Sequence, residues 1–85
     1  MNGYTVRIKK SAEKELDSLP ERIHKRIIAS LLSLAENPRP NTVKKLRGRE
    51  GYRIRVGDYR ILYTVDDSHK TIEVYSAGHR KDIYR

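Results

Sequence analysis

The spacing of the apolar residues changes once along the chain, and this change sets the fold class. Between residues 11 and 37 the apolar residues recur with helical spacing, whereas from residue 43 onward they alternate with polar residues, as in strands. The segment NPRPN (37–41) separates the two regions, because the residue before each proline is pushed out of the helical conformation. The order predicts helices first and most strands afterwards, which is typical of an α+β domain.

The first half of the chain predicts one strand and two helices. YTVRIKK (4–10) alternates apolar and polar residues and is expected to be a half-buried strand. Ser11 is expected to cap a first helix whose apolar residues, from Ala12 to Leu19, fall on one face. A second helix, PERIHKRIIASLLSLAEN (20–37), has its proline in the first turn and a broad apolar stripe that predicts core packing. The two helices are expected to form a hairpin.

The second half predicts the sheet. YRIRV (52–56), YRILYTV (59–65) and, after the turn DDSH (66–69), KTIEVYSA (70–77) all alternate as strands, and TVKKLRG (42–48) is a further short strand of undefined register. We therefore expect an N-terminal strand and a helical hairpin packed on a small sheet of about four strands. The sheet is expected to be largely antiparallel or mixed.

The sequence VGDY fixes how two of these strands pair. Gly57 stands at the first central position of a two-residue turn, which favours type II′ geometry. Arg55 is then opposite Arg60, and because side chains alternate across a strand, both share one face with Arg53 and Leu62. The other face, which is expected to pack under the helices, carries Tyr52, Ile54, Val56, Tyr59, Ile61 and Tyr63.

The opposed arginines point to a function for their face of the sheet. Like charges directly opposite each other are unfavourable by a few tenths to about 1 kcal/mol. One alternative is that each arginine extends into solvent or pairs with Glu50, Asp58 or Glu73. We favour the other interpretation, an open sheet face that binds phosphate, because arginine suits planar, bidentate phosphate contacts.

The distribution of charge supports a polyanionic partner. The net charge is +8, and residues 44–60 carry seven basic residues, five of them arginine, against two acidic ones. Lys44, Lys45, Arg47 and Arg49 are expected to bind a track of phosphates. With no cysteine, dispersed histidines and no grouped carboxylates, we expect neither a metal site nor a cofactor.

The composition bounds the size and location of the protein. Eighty-five residues predict a single domain (1–85), and no apolar run approaches the length of a membrane span. The chain begins without the apolar stretch of a signal peptide, and it has no cysteine. A soluble cytoplasmic protein without a membrane partner is expected.

Taken together, the motifs KKLRG, GYRIRVGDYRILYTV and GHRKDIYR closely resemble the RelE toxins of toxin–antitoxin modules, within the RelE/ParE superfamily. The resemblance covers essentially the whole chain. It implies a RelE-like fold and a ribosome-dependent endoribonuclease that cuts mRNA and is held inactive by a RelB-like antitoxin. The ribosome, through its rRNA, and mRNA are the further partners that the resemblance implies.

The resemblance also implies a set of catalytic residues. Arg53 and Arg55 match the two basic residues of one strand, Arg60 the arginine of the next, Arg80 the arginine after the glycine, and Tyr84 the tail tyrosine. The chain has arginines where some relatives have lysines, and the spacing from Arg80 to Tyr84 differs from that in some relatives. Beside these matched residues, the tail residues Lys81 and Arg85 are expected to contact RNA or the ribosome.

Proton transfer is the least determined part of this site. Arginine remains charged and is a poor proton acceptor, so another group must carry the proton. Tyr84 serves as a base only if guanidinium groups lower its pKa, and it is alternatively a residue that stacks on a base or packs the tail. Histidine is the side-chain type whose ordinary pKa lies nearest neutrality, so His79 is the other candidate for acid or base. A non-enzymatic alternative for the whole protein is a ParE-like toxin that inhibits DNA gyrase by binding.

Overall fold

A computed structural model describes residues 3–83 of the chain. The helices and strands follow one another as β1 (Thr5–Ile8), α1 (Lys10–Asp17), α2 (Glu21–Glu36), β2 (Lys44–Lys45), β3 (Tyr52–Val56), β4 (Tyr59–Asp66), β5 (Thr71–His79) and α3 (Arg80–Ile83). The expected α+β architecture is confirmed. The expected boundaries hold closely for α2 and for the central strands, while the short helix α3 was not expected.

The sheet has five strands in the order β1-β5-β4-β3-β2. Strand β1 pairs parallel with β5, and all other neighbours pair antiparallel, so the sheet is mixed and mostly antiparallel. The expectation of about four strands is one too low. The additional strand is β2, two residues long, which the sequence indicated only as a short strand of undefined register.

The two long helices cover one face of the sheet and close the core there. Their buried residues, Ala12, Leu16, Ile27, Leu31 and Leu34, pack in one cluster with apolar residues of β3, β4 and β5. Tyr63 is fully buried in this cluster, and burial raises its pKa to about 12 because the ionised phenol loses hydration there. Its hydroxyl donates to the carbonyl of Pro38 at 2.7 Å and so ties the NPRPN segment to the core.

The start of α1 differs from the expectation. Lys9, not Ser11, is the residue before the helix, and Ser11 lies inside the first turn. The cause is the pairing of β1: the N–H of Lys9 donates to the carbonyl of Val74 at 2.8 Å, so the strand ends at this point and the helix follows immediately. The carbonyl of Lys9 in turn accepts the N–H of Glu13 at 2.8 Å as the first helical hydrogen bond.

The hairpin of β3 and β4 has the register that the turn predicted. Arg55 is paired with Arg60, and the other four pairs also agree with a two-residue loop. Gly57 has a φ of +60°, which a type II′ turn requires at its first central position and which glycine adopts without steric strain. The face assignment follows, because Ile54, Val56 and Ile61 all belong to the core under the helices.

A polar cluster fixes the loop that leads into β2. Arg39 donates to both carboxylate oxygens of Asp67, at 3.2 and 2.9 Å, and its Nε donates to the hydroxyl of Tyr52 at 2.8 Å. The hydroxyl of Tyr4 donates to Asp67 at 2.7 Å. The hydrogen bonds from Arg39 and, to a smaller extent, from Tyr4 hold the pKa of Asp67 below its ordinary value. The loop therefore fixes the position of β2 at the edge of the sheet.

Among residues 3–83, no helix is both long enough and apolar enough to cross a membrane.

Candidate functional site

The face of the sheet turned away from α1 and α2, which we call the open face, carries two neighbouring rows of basic side chains. In the first row, Lys44 is paired with Arg53. In the second row, Arg55 is paired with Arg60, which is itself opposite Gly78. Because residues two apart on a strand share a face, both rows point to the same side of the sheet. The structure thus brings together the three strand arginines that the sequence predicted.

Lys44, Arg53 and Arg55 line a groove at the edge of the open face. The groove has a volume of about 510 Å³ and is completed by Asn41, Thr42 and Gly57. Three cationic side chains along one groove favour a phosphate group, since charge-assisted hydrogen bonds are the strongest class that such side chains make. The same charges disfavour a divalent cation. The contribution of Asn41 and Thr42 was not expected, because the register of this segment was undefined in the sequence.

The side chain of Arg60 is less exposed than that of Arg55, its partner across the hairpin. Its side chain is half-buried, and its Nε is buried without a hydrogen-bond partner among the residues that the structure describes. Its Nη1 donates to the carbonyl of Tyr59 over a long 3.4 Å. A buried donor without a partner costs about 1–3 kcal/mol, so a guanidinium in this position is explained better by function than by stability.

The chain segment after β5 is fixed beside the hairpin turn. The backbone N–H of Arg80 donates to the carbonyl of Asp58 at 2.8 Å, which places the start of α3 at the same end of the sheet as Arg55 and Arg60. The side chains of Arg80 and Lys81 are exposed. Tyr84 and Arg85, for which the sequence predicted roles in proton transfer and RNA binding, lie outside the described residues.

His79 is placed apart from the arginines. It is paired with Tyr59, whose side chain lies on the helix-covered face, and the two rings make an edge-to-face contact with centroids 5.4 Å apart. The ring also lines a pocket with Glu15, Leu19 and other residues of the helical layer. Its Nδ1 accepts the N–H of Lys81 at 3.2 Å. The structure therefore does not bring His79 into the arginine groove.

The remaining predicted binding residues are divided between two positions. Lys45 is paired with Tyr52 and so lies on the face opposite to Lys44. Arg47 and Arg49 are exposed in the loop between β2 and β3, which is closed by a hydrogen bond from the N–H of Leu46 to the carbonyl of Gly51 at 3.0 Å. Of the four residues expected to bind a track of phosphates, the structure places Lys44 in the groove of the open face, and the binding role of the other three stays a prediction.

A family model described as ParE toxin of type II toxin-antitoxin system, parDE, matches residues 6–84. Among curated proteins, Toxin RelG of Mycobacterium tuberculosis is 38% identical over 88 residues, covering 96% of this chain and 97% of the relative. Toxin RelE of the same organism is 33% identical over 84 residues, covering 96% of this chain and 87% of the relative.

Two solved structures show the same architecture. The toxin–antitoxin complex RelBE2 from M. tuberculosis contains a chain that superposes with a TM-score of 0.82 at 33% identity, covering 92% of this chain and 99% of that one. The archaeal RelE-RelB complex from Pyrococcus horikoshii OT3 gives a TM-score of 0.82 at 34% identity, covering 94% and 98%.

A helical hairpin on a small mixed sheet with a basic open face therefore defines this protein as a toxin of the RelE/ParE type. Within that superfamily, the chain belongs to the RelE family of toxins of toxin–antitoxin modules.

Proposed function

We propose that this toxin is a ribosome-dependent endoribonuclease that cleaves mRNA without a metal ion and so inhibits translation. The observation that carries the proposal is the pairing of Arg55 with Arg60 next to Lys44 and Arg53 on the open face. This cluster concentrates positive charge where stability alone disfavours it. The curated relatives are named as toxins RelG and RelE, and the resemblance to the RelE toxins implies the same activity.

The chemistry that fits this face is an attack of the ribose 2′-oxygen on the neighbouring phosphorus. The new O2′–P bond forms as the P–O5′ bond breaks, which yields a 2′,3′-cyclic phosphate and a 5′-hydroxyl. A base takes the proton of the 2′-hydroxyl, and an acid donates a proton to the departing 5′-oxygen. Arg53 and Arg55 bind the scissile phosphate, while Arg60 and Arg80 stabilise the charge that develops on its oxygens.

In this proposal Tyr84 is the base that takes the proton of the 2′-hydroxyl, and solvent water supplies the proton to the departing 5′-oxygen. His79, the other candidate, has its ring on the helix-covered face against Tyr59 and accepts the N–H of Lys81. As a base, Tyr84 requires a pKa lowered by the positive charge of the guanidinium groups around the phosphate. Tyr84→Phe is expected to lower the rate of cleavage while leaving ribosome binding intact, whereas His79→Ala is expected to change the rate little.

A ParE-like inhibitor of DNA gyrase is the second candidate, because the matching family model is that of the ParE toxins. The groove favours the nuclease, since binding to gyrase does not require a groove lined by Lys44, Arg53 and Arg55.

Purified ribosomes carrying a defined mRNA, with the protein added, separate the two functions. Cleavage of the mRNA, mapped by primer extension, with unaffected DNA supercoiling by gyrase is the expected result. Intact mRNA together with blocked supercoiling would overturn the nuclease. Arg53→Ala should abolish cleavage, and Arg22→Ala, which removes an exposed charge from α2, provides the matched control.

A RelB-like antitoxin is the proposed partner that holds the toxin inactive. Three of the solved relatives are described as complexes of a RelE toxin with a RelB antitoxin. The excess of positive charge on this chain suits an acidic partner segment. Co-expression with the product of the neighbouring reading frame, followed by purification through a tag on one chain, tests the complex directly.

A further inference from the structure

Strand β5 contains a bulge at Tyr75. Leu62 of β4 is paired with Ser76, whereas the next residue, Tyr63, is paired with Val74, so that Tyr75 is left without a partner on β4. A bulge of this kind redirects a side chain and is common beside active sites. The sequence KTIEVYSA indicated alternation through this position, but it did not indicate the extra residue.

The side chain of Tyr75 extends over the open face toward the start of β3. A methyl group on Gly51 would lie 3.5 Å from the hydroxyl oxygen of Tyr75 and 3.5 Å from Cγ2 of Thr64. Gly51 directly precedes β3, and it is two residues from Arg53, so the two positions share a face about 7 Å apart. The tyrosine therefore lies one row of side chains away from the basic groove.

Arg49 is oriented by this tyrosine. Its Nη2 donates to the hydroxyl of Tyr75 at 3.0 Å, and its Cζ lies 5.2 Å from the centre of the ring. Arg49 is otherwise an exposed residue of the β2–β3 loop, and Tyr75 is half-buried. An exposed arginine loses much rotamer freedom in such a contact, and here the cation–π interaction and the hydrogen bond offset that loss.

We infer that Arg49 and Tyr75 together form a stacking surface for a nucleobase of RNA whose phosphate backbone lies in the neighbouring basic groove. Bases of single-stranded RNA stack on aromatic rings and on guanidinium planes, and such stacking tolerates any base. Tyr75 supplies an aromatic ring and Arg49 a guanidinium plane, and both lie one row of side chains away from Arg53. The inference rests on the proposed function, because it takes RNA to be the ligand of the open face.

A competing explanation is that the pair only ties the β2–β3 loop to the sheet. That role predicts effects on loop order and stability, whereas stacking predicts dependence on the presence of a base in the RNA. The two are separated by measuring the affinity of the free protein for a short, labelled single-stranded RNA by fluorescence anisotropy. The same RNA is then made abasic at each position in turn.

In the wild-type protein, one abasic position is expected to lower the affinity by at least about fivefold, the effect of losing one base–aromatic stack. Arg22→Gln removes the same charge from α2 and is expected to retain this dependence. Arg49→Gln and Tyr75→Leu are expected to bind the intact and the abasic RNA with affinities within about twofold of each other. Circular dichroism checks the folding of Tyr75→Leu. If Tyr75→Leu does not fold, Arg49→Gln, which changes an exposed loop residue, decides the question.

An abasic penalty of equal size in Arg49→Gln and in the wild type would overturn the inference, as would a wild-type protein with no penalty at any position. Cleavage of mRNA on ribosomes is measured in parallel. Cleavage without a base-dependent penalty overturns the stacking surface alone. A penalty that depends on Arg49 in a protein that does not cleave mRNA supports the stacking surface and overturns the nuclease.

Discussion

Arg55 and Arg60 lie directly opposite each other across the β3–β4 hairpin, and the Nε of Arg60 is buried without a partner among the described residues. Both features cost stability, the first through repulsion and the second through lost hydration. Neither is required by the turn, which fixes the register whatever residues occupy these positions. The pair is therefore better explained by what the open face binds than by how the sheet folds.

Replacing Arg60 by valine should separate stability from activity. Arg60→Val removes the opposed charge and the buried donor and introduces a residue that favours strands, so we expect the free energy of unfolding to rise by about 1 kcal/mol. Cleavage of mRNA on ribosomes should fall by about 100- to 1000-fold, as when one fixed donor to a developing charge is lost. Urea denaturation and primer extension on the same preparation measure the two effects. A clear loss of stability would instead assign Arg60 a structural role.

Two glycines of the β2–β3 loop should respond very differently to substitution by alanine. Gly51 has a φ of +119°, and a methyl group there would lie 2.7 Å from the carbonyl oxygen of Tyr63, whereas Gly48 has a φ of +72° and nothing within 4 Å of the same position. Gly48→Ala should cost about 1 kcal/mol, from the left-handed backbone alone. Gly51→Ala should cost clearly more, because the clash is with backbone of a buried strand. Equal losses in chemical denaturation would show that β4 moves aside without cost.

The hairpin was predictable from sequence because its determinants are local. Gly57 selects the turn, the turn selects the register, and alternation then assigns Arg53 and Arg55 to the open face. The helical pair was predictable for the same reason, since apolar spacing and the NPRPN segment act over one or two turns.

Features that depend on distant parts of the chain were not predictable in this way. The parallel pairing of β1 with β5 joins Thr5 to Thr71, and nothing near either residue specifies the other. That pairing also moved the start of α1 from the expected Ser11. The bulge at Tyr75 is a tertiary feature as well, because alternation in the sequence continues through it. The face of His79 likewise follows from its cross-strand partner Tyr59, which the sequence alone did not identify.

Tyr63 should make the protein sensitive to alkali. Its pKa of about 12 in the folded protein lies above the ordinary value of 10, mainly because burial disfavours the ionised phenol. Between these values the unfolded chain releases the proton and the folded protein retains it, so the contribution of Tyr63 is complete below pH 10 and is lost as the pH rises toward 12.

The Tyr63→Phe variant tests this dependence. It should be less stable at neutral pH by about 1 kcal/mol, because the partly buried carbonyl of Pro38 loses the hydrogen bond that the hydroxyl donates. Between pH 10 and 12, however, its stability should fall less steeply than that of the wild type. Ile61→Val, a buried position of the same strand that carries no titratable group, should lose a similar amount of stability and follow the wild-type slope. Identical slopes for all three proteins in urea denaturation would contradict the assignment.

The salt dependence of RNA binding should show how many phosphates the groove contacts. Each phosphate neutralised on a single strand contributes about −0.7 to the slope of log K against log salt concentration. Arg55→Gln should therefore make the slope less steep by about 0.7, and so should Lys44→Gln, because both side chains line the groove. Lys45→Gln removes the same charge from the neighbouring residue, but its side chain lies on the face with Tyr52, so the slope should change little.

Filter binding at several potassium concentrations provides these slopes. The comparison of Lys44 with Lys45 is the sharper one, since the two lysines are adjacent in sequence and share the same strand. Equal changes for both would mean that general positive charge, rather than the groove on the open face, holds the phosphates.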